Sequence, residues 1–198
     1  MLQVHTWTTP NGLKPLILLE ELGLPYDTRW VDLGKGQQHD AGFLRINPNG
    51  KIPVLVDDGV PIFESGAILV HLAEKTGRFL APSGRARTDA FAWLFFQVGG
   101  IGPIFGQLGH FRNAPEKIPY AIDRYKKETE RLYGVLEKRL AKVDYLAGEY
   151  GIADMATVGW AGSMSRLGIG PGPFPNVAKW LDRVSARPAV QRARALKP

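Results

Sequence analysis

The hydrophobic and polar positions of the first eighty residues alternate between short apolar runs and helical repeats. Residues 2–7 read as a strand, after which Leu13, Leu16 and Ile17 take up helical spacing as far as Gly23, where Gly and Pro mark the exit. Thr28 to Leu33 reads as a second strand, and a strand, helix, strand order of this length favours a parallel pair with a right-handed crossover. The segment HDAGFLRINPNG predicts a short helix ending in a turn. Ile52 to Val56 and Val60 to Phe63 are apolar runs joined by Asp58 and Gly59, a pair that favours a tight hairpin. Ser65 to Lys75 is almost uninterruptedly apolar, which suits a helix packed on a sheet. The expected order is βαβ, a short helix, then ββα.

Beyond residue 80 the pattern changes. Residues 76–87 turn to Gly, Pro, Ser and Arg, the composition of a linker. Helical repeats then run through 88–110, 119–143, from about 152, and over 175–195. In the second of these Ile122, Tyr125, Leu132, Leu136 and Leu140 form an apolar stripe opposite KKETER. The fold class expected is α/β plus all-α: a sheet-containing domain over 1–79, a linker over about 80–87, and an all-helical domain over 88–198.

Composition narrows the chemistry. The 198 residues, 44% apolar and 22% charged, suit a folded body of one or two domains. The opening MLQVHTW has no basic region leading into a long apolar run, and no stretch reads as the roughly 20 apolar residues that span a bilayer; the expectation is a cytoplasmic protein without a membrane partner. The chain has no cysteine, so disulfide staples, thiolate metal sites and a protein-borne redox pair are excluded. Any thiol chemistry must use a sulfur from elsewhere. The net charge of +6 lies in lysines and arginines spaced along helices among glutamates, without clustered aromatics, which argues against nucleic acid. His5, His39, His71 and His110 lack metal-ligand spacing. GGIGPIFG is glycine-dense but follows no strand and precedes no Gly-Lys-Ser/Thr, so it reads as a bent helix and not a phosphate loop.

Three junctions carry candidate chemistry. In TWTTPNGLK, Thr9 is placed to cap a helix that Pro10 starts, leaving first-turn amides and the positive end of the helix for an anion; Asn11 adds an amide donor. The same residues are compatible with capping alone, the reading that local sequence favours. In NGKIPVL, Pro53 stands at the start of a strand, either as an ordinary trans residue or after a cis bond that turns the amide and carbonyl of Ile52 outward. In FESGAI, Glu64 and Ser65 lie between a strand and a helix, where Ser65 is a natural cap. Together they offer an acceptor for an ammonium group and a helix end for a carboxylate.

TPNGLK, VDLGKGQQ, RINPNGKIPVLVD, FESGAILVHLAEKTG, WLFFQVGGIGPIFGQ and IPYAIDRYKKETERLYGVLEKRL resemble the glutathione transferases, most closely the bacterial nu class of glutathione-dependent disulfide reductases. The resemblance covers nearly the whole chain. It implies a thioredoxin-like domain followed by a helical-bundle domain, a homodimer, and a cis bond at Pro53. It further implies that Thr9 and Asn11 lie beside the sulfur of bound glutathione, that Gln38 holds the tripeptide, that the backbone of Ile52 pairs with its cysteine portion, and that Glu64 and Ser65 receive the γ-glutamyl group. Arg124 is implied to reach a ligand carboxylate, and Lys51 is an extra anion partner. A second-substrate pocket is expected among Phe105, His110, Phe111 and Trp160. One or two glutathiones per site are expected as co-substrate, with no metal.

The sequence departs from the superfamily where the core helix of the second domain begins. A hydroxyl residue usually stands three places before an aspartate, but here Gly151 precedes Asp154. Three functional readings follow: a disulfide reductase with weak transferase or peroxidase activity, a transferase or isomerase for a specific electrophile, and a glutathione-binding module without turnover.

Overall fold

The computed structural model describes residues 1–198 and contains four strands and nine α-helices. The chain divides into two compact units, Met1–Pro82 together with Ala186–Pro198, and Ser83–Ser185.

The first unit runs β1 (Leu2–Thr6), α1 (Pro10–Leu22), β2 (Tyr26–Trp30), α2 (Ala41–Ile46), β3 (Val54–Asp57), β4 (Val60–Phe63) and α3 (Ser65–Thr76), with α9 (Pro188–Ala195) added from the end of the chain. The sheet has the order β2-β1-β3-β4. β1 and β2 are parallel, as the crossover requires, and β3 pairs antiparallel with both β1 and β4. Asp58 and Gly59 make the hairpin turn with φ of 47° and 85°, the left-handed conformations that such a turn needs. β2 starts two residues earlier than the apolar run suggests and ends at Trp30, because its residues alternate between half-buried and exposed. Helix α1 is buried on nearly every side, from Lys14 to Leu19 without a break.

Helix α9 corrects the expectation of an all-helical domain over 88–198. Arg187 donates to both carboxylate oxygens of Glu21, at 2.6 and 2.9 Å, and Arg192 donates to the Glu20 carboxylate at 2.7 Å. These pairs join α9 to α1, contacts more than 160 residues apart in the chain that local pattern cannot reveal. The expected linker is also shorter, since α4 already begins at Gly84.

The second unit comprises α4 (Gly84–Phe96), a π-helical turn (Gln97–Ile101), α5 (Gly102–Asn113), α6 (Pro119–Leu140), α7 (Ile152–Ala161) and α8 (Pro175–Ser185). By length and composition the 30 residues Gly84–Asn113 are apolar enough to cross a membrane, with a mean hydropathy of 1.3 in their most apolar stretch. This corrects the expectation that no such stretch exists. The run is interrupted by the π turn, and it buries Leu94, Ile101, Phe105 and Leu108 in the core of the unit. At α7, Gly151 supplies no side-chain cap, but Asp154 keeps its half of the arrangement. Its carboxylate accepts from the amides of Gly151 and Leu146 and from Trp180 Nε1 at 3.2, 3.0 and 2.8 Å.

Candidate functional site

The junction between β1 and α1 is built by Thr6, Thr9, Pro10 and Gly12. Thr9 is extended (φ −124°, ψ 161°) and its Oγ1 accepts the Gly12 amide at 3.1 Å, capping the helix, while Pro10 takes the position where no amide partner is needed. The Thr6 hydroxyl donates to the Gly12 carbonyl at 2.9 Å. A Cβ on Gly12 would lie 2.1 Å from the Trp7 carbonyl oxygen and 2.5 Å from Thr6 Oγ1, so the turn closes only around glycine. The Thr9 hydroxyl accepts one hydrogen bond and keeps its own proton to donate. Capping and ligand contact, alternatives in the sequence, are compatible in one hydroxyl.

The sheet register carries the other candidates to the same end. His5 of β1 pairs with Val54 of β3, and Val54 pairs with Phe63 of β4, so the start of β3 lies between the ends of β1 and β4. Thr9 follows the end of β1, Ile52 and Pro53 precede the start of β3, and Glu64 and Ser65 follow the end of β4. The end of β2 joins them, because it runs parallel to β1 and Val31 donates to the Thr6 carbonyl at 2.9 Å. Gln38 lies in a 3-10 turn over Gln37–His39 a few residues beyond.

The Ile52–Pro53 bond is cis. Ile52 stands outside the strand ladders and packs its side chain against the Val31, Phe43 and Val54 cluster. The loop that presents it is organised by Asn47, which is 1% exposed. Its Nδ2 donates to the Lys51 carbonyl at 2.6 Å and its Oδ1 accepts the Asn49 amide at 2.9 Å. The Lys51 side chain is exposed. Gln38 Oε1 is buried and meets no donor within the protein. An acceptor left in that state is suited to a ligand donor.

At α3, Glu64 is exposed and holds φ at 70°, a conformation rare for a residue other than glycine. Ser65 is 7% exposed, and its Oγ accepts from Lys14 Nζ at 3.1 Å. Burial pulls the Lys14 ammonium down to about 7, against the opposing charge of Glu64. Lys14, Asn47 and the Thr6–Gly12 pair are site-building residues that the sequence reading missed. The signal for Lys14 was a cation set inside LKPLILL, an otherwise apolar run.

The second unit holds the remaining candidates. Phe105, His110 and Trp160 line a cavity of about 520 Å³ with Gly106, Arg166 and Leu167. Gly106 lies against the Trp160 ring, which a Cβ there would meet at an ordinary contact distance of 3.4 Å. Phe111 is not in its wall, contrary to expectation. It stacks on Tyr125 of α6, with ring centroids 5.6 Å apart and 14° between planes. Arg124 is exposed on α6 and lines a separate cavity of about 610 Å³ among Tyr120, Lys127, Glu128 and Arg131.

Known proteins give this geometry a family. Residues 2–74 match the glutathione S-transferase N-terminal domain and residues 103–188 the glutathione S-transferase C-terminal domain. The chain belongs to the glutathione S-transferase family. It is 49% identical over 202 residues to the disulfide-bond oxidoreductase YfcG of Escherichia coli, spanning 98% of this chain and 94% of that one. A glutathione transferase of Burkholderia graminis, solved with two glutathione molecules per subunit, superposes with a TM-score of 0.91 at 42% identity, covering 98% of this chain and 87% of that one. Another from Pseudomonas putida, solved with one glutathione disulfide per subunit, gives 0.92 at 38% identity over 100% and 92% of the two chains.

Proposed function

We propose that the protein is a glutathione-dependent disulfide reductase with Thr9 and Asn11 at the reacting sulfur. The observation that carries this reading is the Thr9 hydroxyl, which caps α1 and still has a proton to donate beside the positive end of that helix. A thiolate is the ligand that such an environment favours. Gln38, the backbone of Ile52, Glu64 and Ser65 hold the rest of the tripeptide, Lys51 adds a cation at the rim, and Arg124 takes a carboxylate.

The reaction consumes two glutathiones. The thiolate of one attacks a disulfide R–S–S–R′, forming a mixed disulfide and releasing R′S⁻, which takes up a proton. The thiolate of a second attacks the mixed disulfide, giving glutathione disulfide and RS⁻. Both thiols come from the substrate, in keeping with a chain that has no cysteine. The relatives solved with two glutathiones and with glutathione disulfide support a site that takes two.

Thiolate stabilisation is the smaller part of the acceleration. Lowering a thiol from about 8.5 to about 6.5 raises its ionised fraction at pH 7 roughly 25-fold, but the lower basicity takes back about 6- to 10-fold. Holding the second sulfur in line supplies the larger part, through effective molarity.

A homodimer in the cytoplasm belongs to the same reading. The exposed Val60 and Phe63 of β4 and Phe95 of α4, which is 64% exposed, support a dimer as apolar surface left open in one chain. The test of function is a panel comparing reduction of hydroxyethyl disulfide with conjugation of an aryl halide, both with glutathione. Disulfide turnover well above conjugation is the expected result. Tight glutathione binding with no disulfide turnover overturns it.

A further inference from the structure

Asp57, Asp154 and Lys14 are charged residues buried in the chain. Two have evident structural work: Asp57 is paired with Lys75 and His71, and Asp154 gathers three donors around the start of α7. The third, Lys14, is 2% exposed and donates to a serine hydroxyl, Ser65 Oγ. A buried ammonium is costly to the fold. Ser65, which receives one of its hydrogen bonds, is the first residue of α3.

A hydroxyl has one proton and two lone pairs. The Lys14 ammonium can only donate, so it occupies a lone pair of Ser65 and leaves the hydroxyl proton for another acceptor, at the helix end where the first amides of α3 lack helical partners. We propose that Lys14 is a positioning residue for carboxylate recognition at α3, fixing the Ser65 hydroxyl as a donor and adding positive charge beneath the α-carboxylate of the γ-glutamyl group. This rests on the glutathione reading of the site.

The surroundings favour a charge that responds to a ligand. From α3, Glu64 acts on Lys14 through space, while His71 and Lys75 are held by Asp57. On α1 itself Glu20 and Glu21 are paired with Arg192 and Arg187 of α9. From β1, His5 is bonded to Gln3. With Lys14 pulled down to about 7 by burial, its charge is present at pH 6 and largely lost by pH 8.5 in the unliganded protein. Carboxylate affinity therefore falls as pH rises through this range.

The test uses S-methylglutathione, which has no titrating thiol, beside an analogue lacking the α-carboxylate of its γ-glutamyl residue. Affinities are measured by calorimetry at pH 6.5 for wild type, Lys14→Met and Ser65→Ala, with thermal melts of each. Lys14→Met is expected to weaken S-methylglutathione about tenfold, the loss of one charge-assisted contact. It should leave the analogue within about twofold and melt no lower than wild type. Equal losses for both ligands, or unchanged S-methylglutathione affinity, overturn the proposal. Ser65→Ala separates the two levels: if it has no effect on S-methylglutathione, the glutathione reading of α3 fails, whereas an effect of Ser65→Ala without one of Lys14→Met defeats the role of Lys14 alone. In wild type, which depends on no variant folding, the ratio of the two affinities should fall at least about threefold between pH 6 and pH 8.5. A constant ratio overturns the proposal.

Discussion

Lys14 and Ser65, 51 residues apart in the chain, meet at 3.1 Å between Nζ and Oγ in a place that water scarcely reaches. The ammonium is bound to lose stability there. Its ordinary value of 10.5 is depressed to about 7, so between those limits the unfolded chain binds more protons than the folded one, and stability rises with pH across the interval. Lys14→Met removes that slope. The variant should be more stable than wild type at pH 7, a depression of this size corresponding to at most about 5 kcal/mol before the lost polar contacts of Lys14 are counted. The gap should close toward pH 10. Urea unfolding at pH 7, 8.5 and 10 checks both statements.

Thr9 combines two roles that substitution can separate. Thr9→Ala loses the cap, at about 1 kcal/mol of stability, and also loses the hydroxyl proton. Thr9→Ser keeps both. Disulfide turnover of Thr9→Ala should fall more than its glutathione affinity, with Thr9→Ser near wild type in each. Equal losses in turnover and affinity would leave Thr9 as a cap only.

Asp57 sets an acid limit. Lys75 and then His71 hydrogen-bond its carboxylate and hold it below the usual carboxylate range. A depressed carboxyl contributes stability that is fully present above its unfolded value, near pH 4, and is lost as pH falls through the folded one. Asp57→Asn should melt below wild type at pH 6, and the difference should shrink as pH falls below the unfolded value near 4. Thermal melts across that range report it.

Arg124 is exposed on α6 among Lys127, Glu128 and Arg131. Assigned to a ligand carboxylate, it contributes to binding more than to chemistry. Arg124→Ala should raise the KM for glutathione about tenfold with kcat within twofold. An unchanged KM would remove Arg124 from the site.

Much of the first unit could be read from the chain because its signals are local: Asp58-Gly59 between two apolar runs, a capping threonine before proline, and a serine at the head of an apolar helix. The resemblance to a family added the cis bond before Pro53, which local pattern left open. The misses have a common cause. Lys14 sits in a helix buried on almost every side, where no polar face exists to show that a cation is out of place. Asn47 reads as an ordinary turn residue until its amide is seen holding the Lys51 carbonyl. Phe111 and Phe105 are equally aromatic in the sequence, and only the rotation of α5 decides that one is buried near Trp160 while the other stacks on Tyr125. Helix α9 was misassigned because nothing in QRARA names its partners.

The return of α9 to α1 makes the first unit discontinuous. Glu21 is 8% exposed and relies on Arg187, a residue made 166 positions later. During synthesis residues 1–82 leave the ribosome before the whole of the second unit, so the first unit lacks part of its shell until that second unit has been made. Completion of the first unit is thereby tied to synthesis of the second, and a transcript cut short before Arg187 yields a first unit without its last helix.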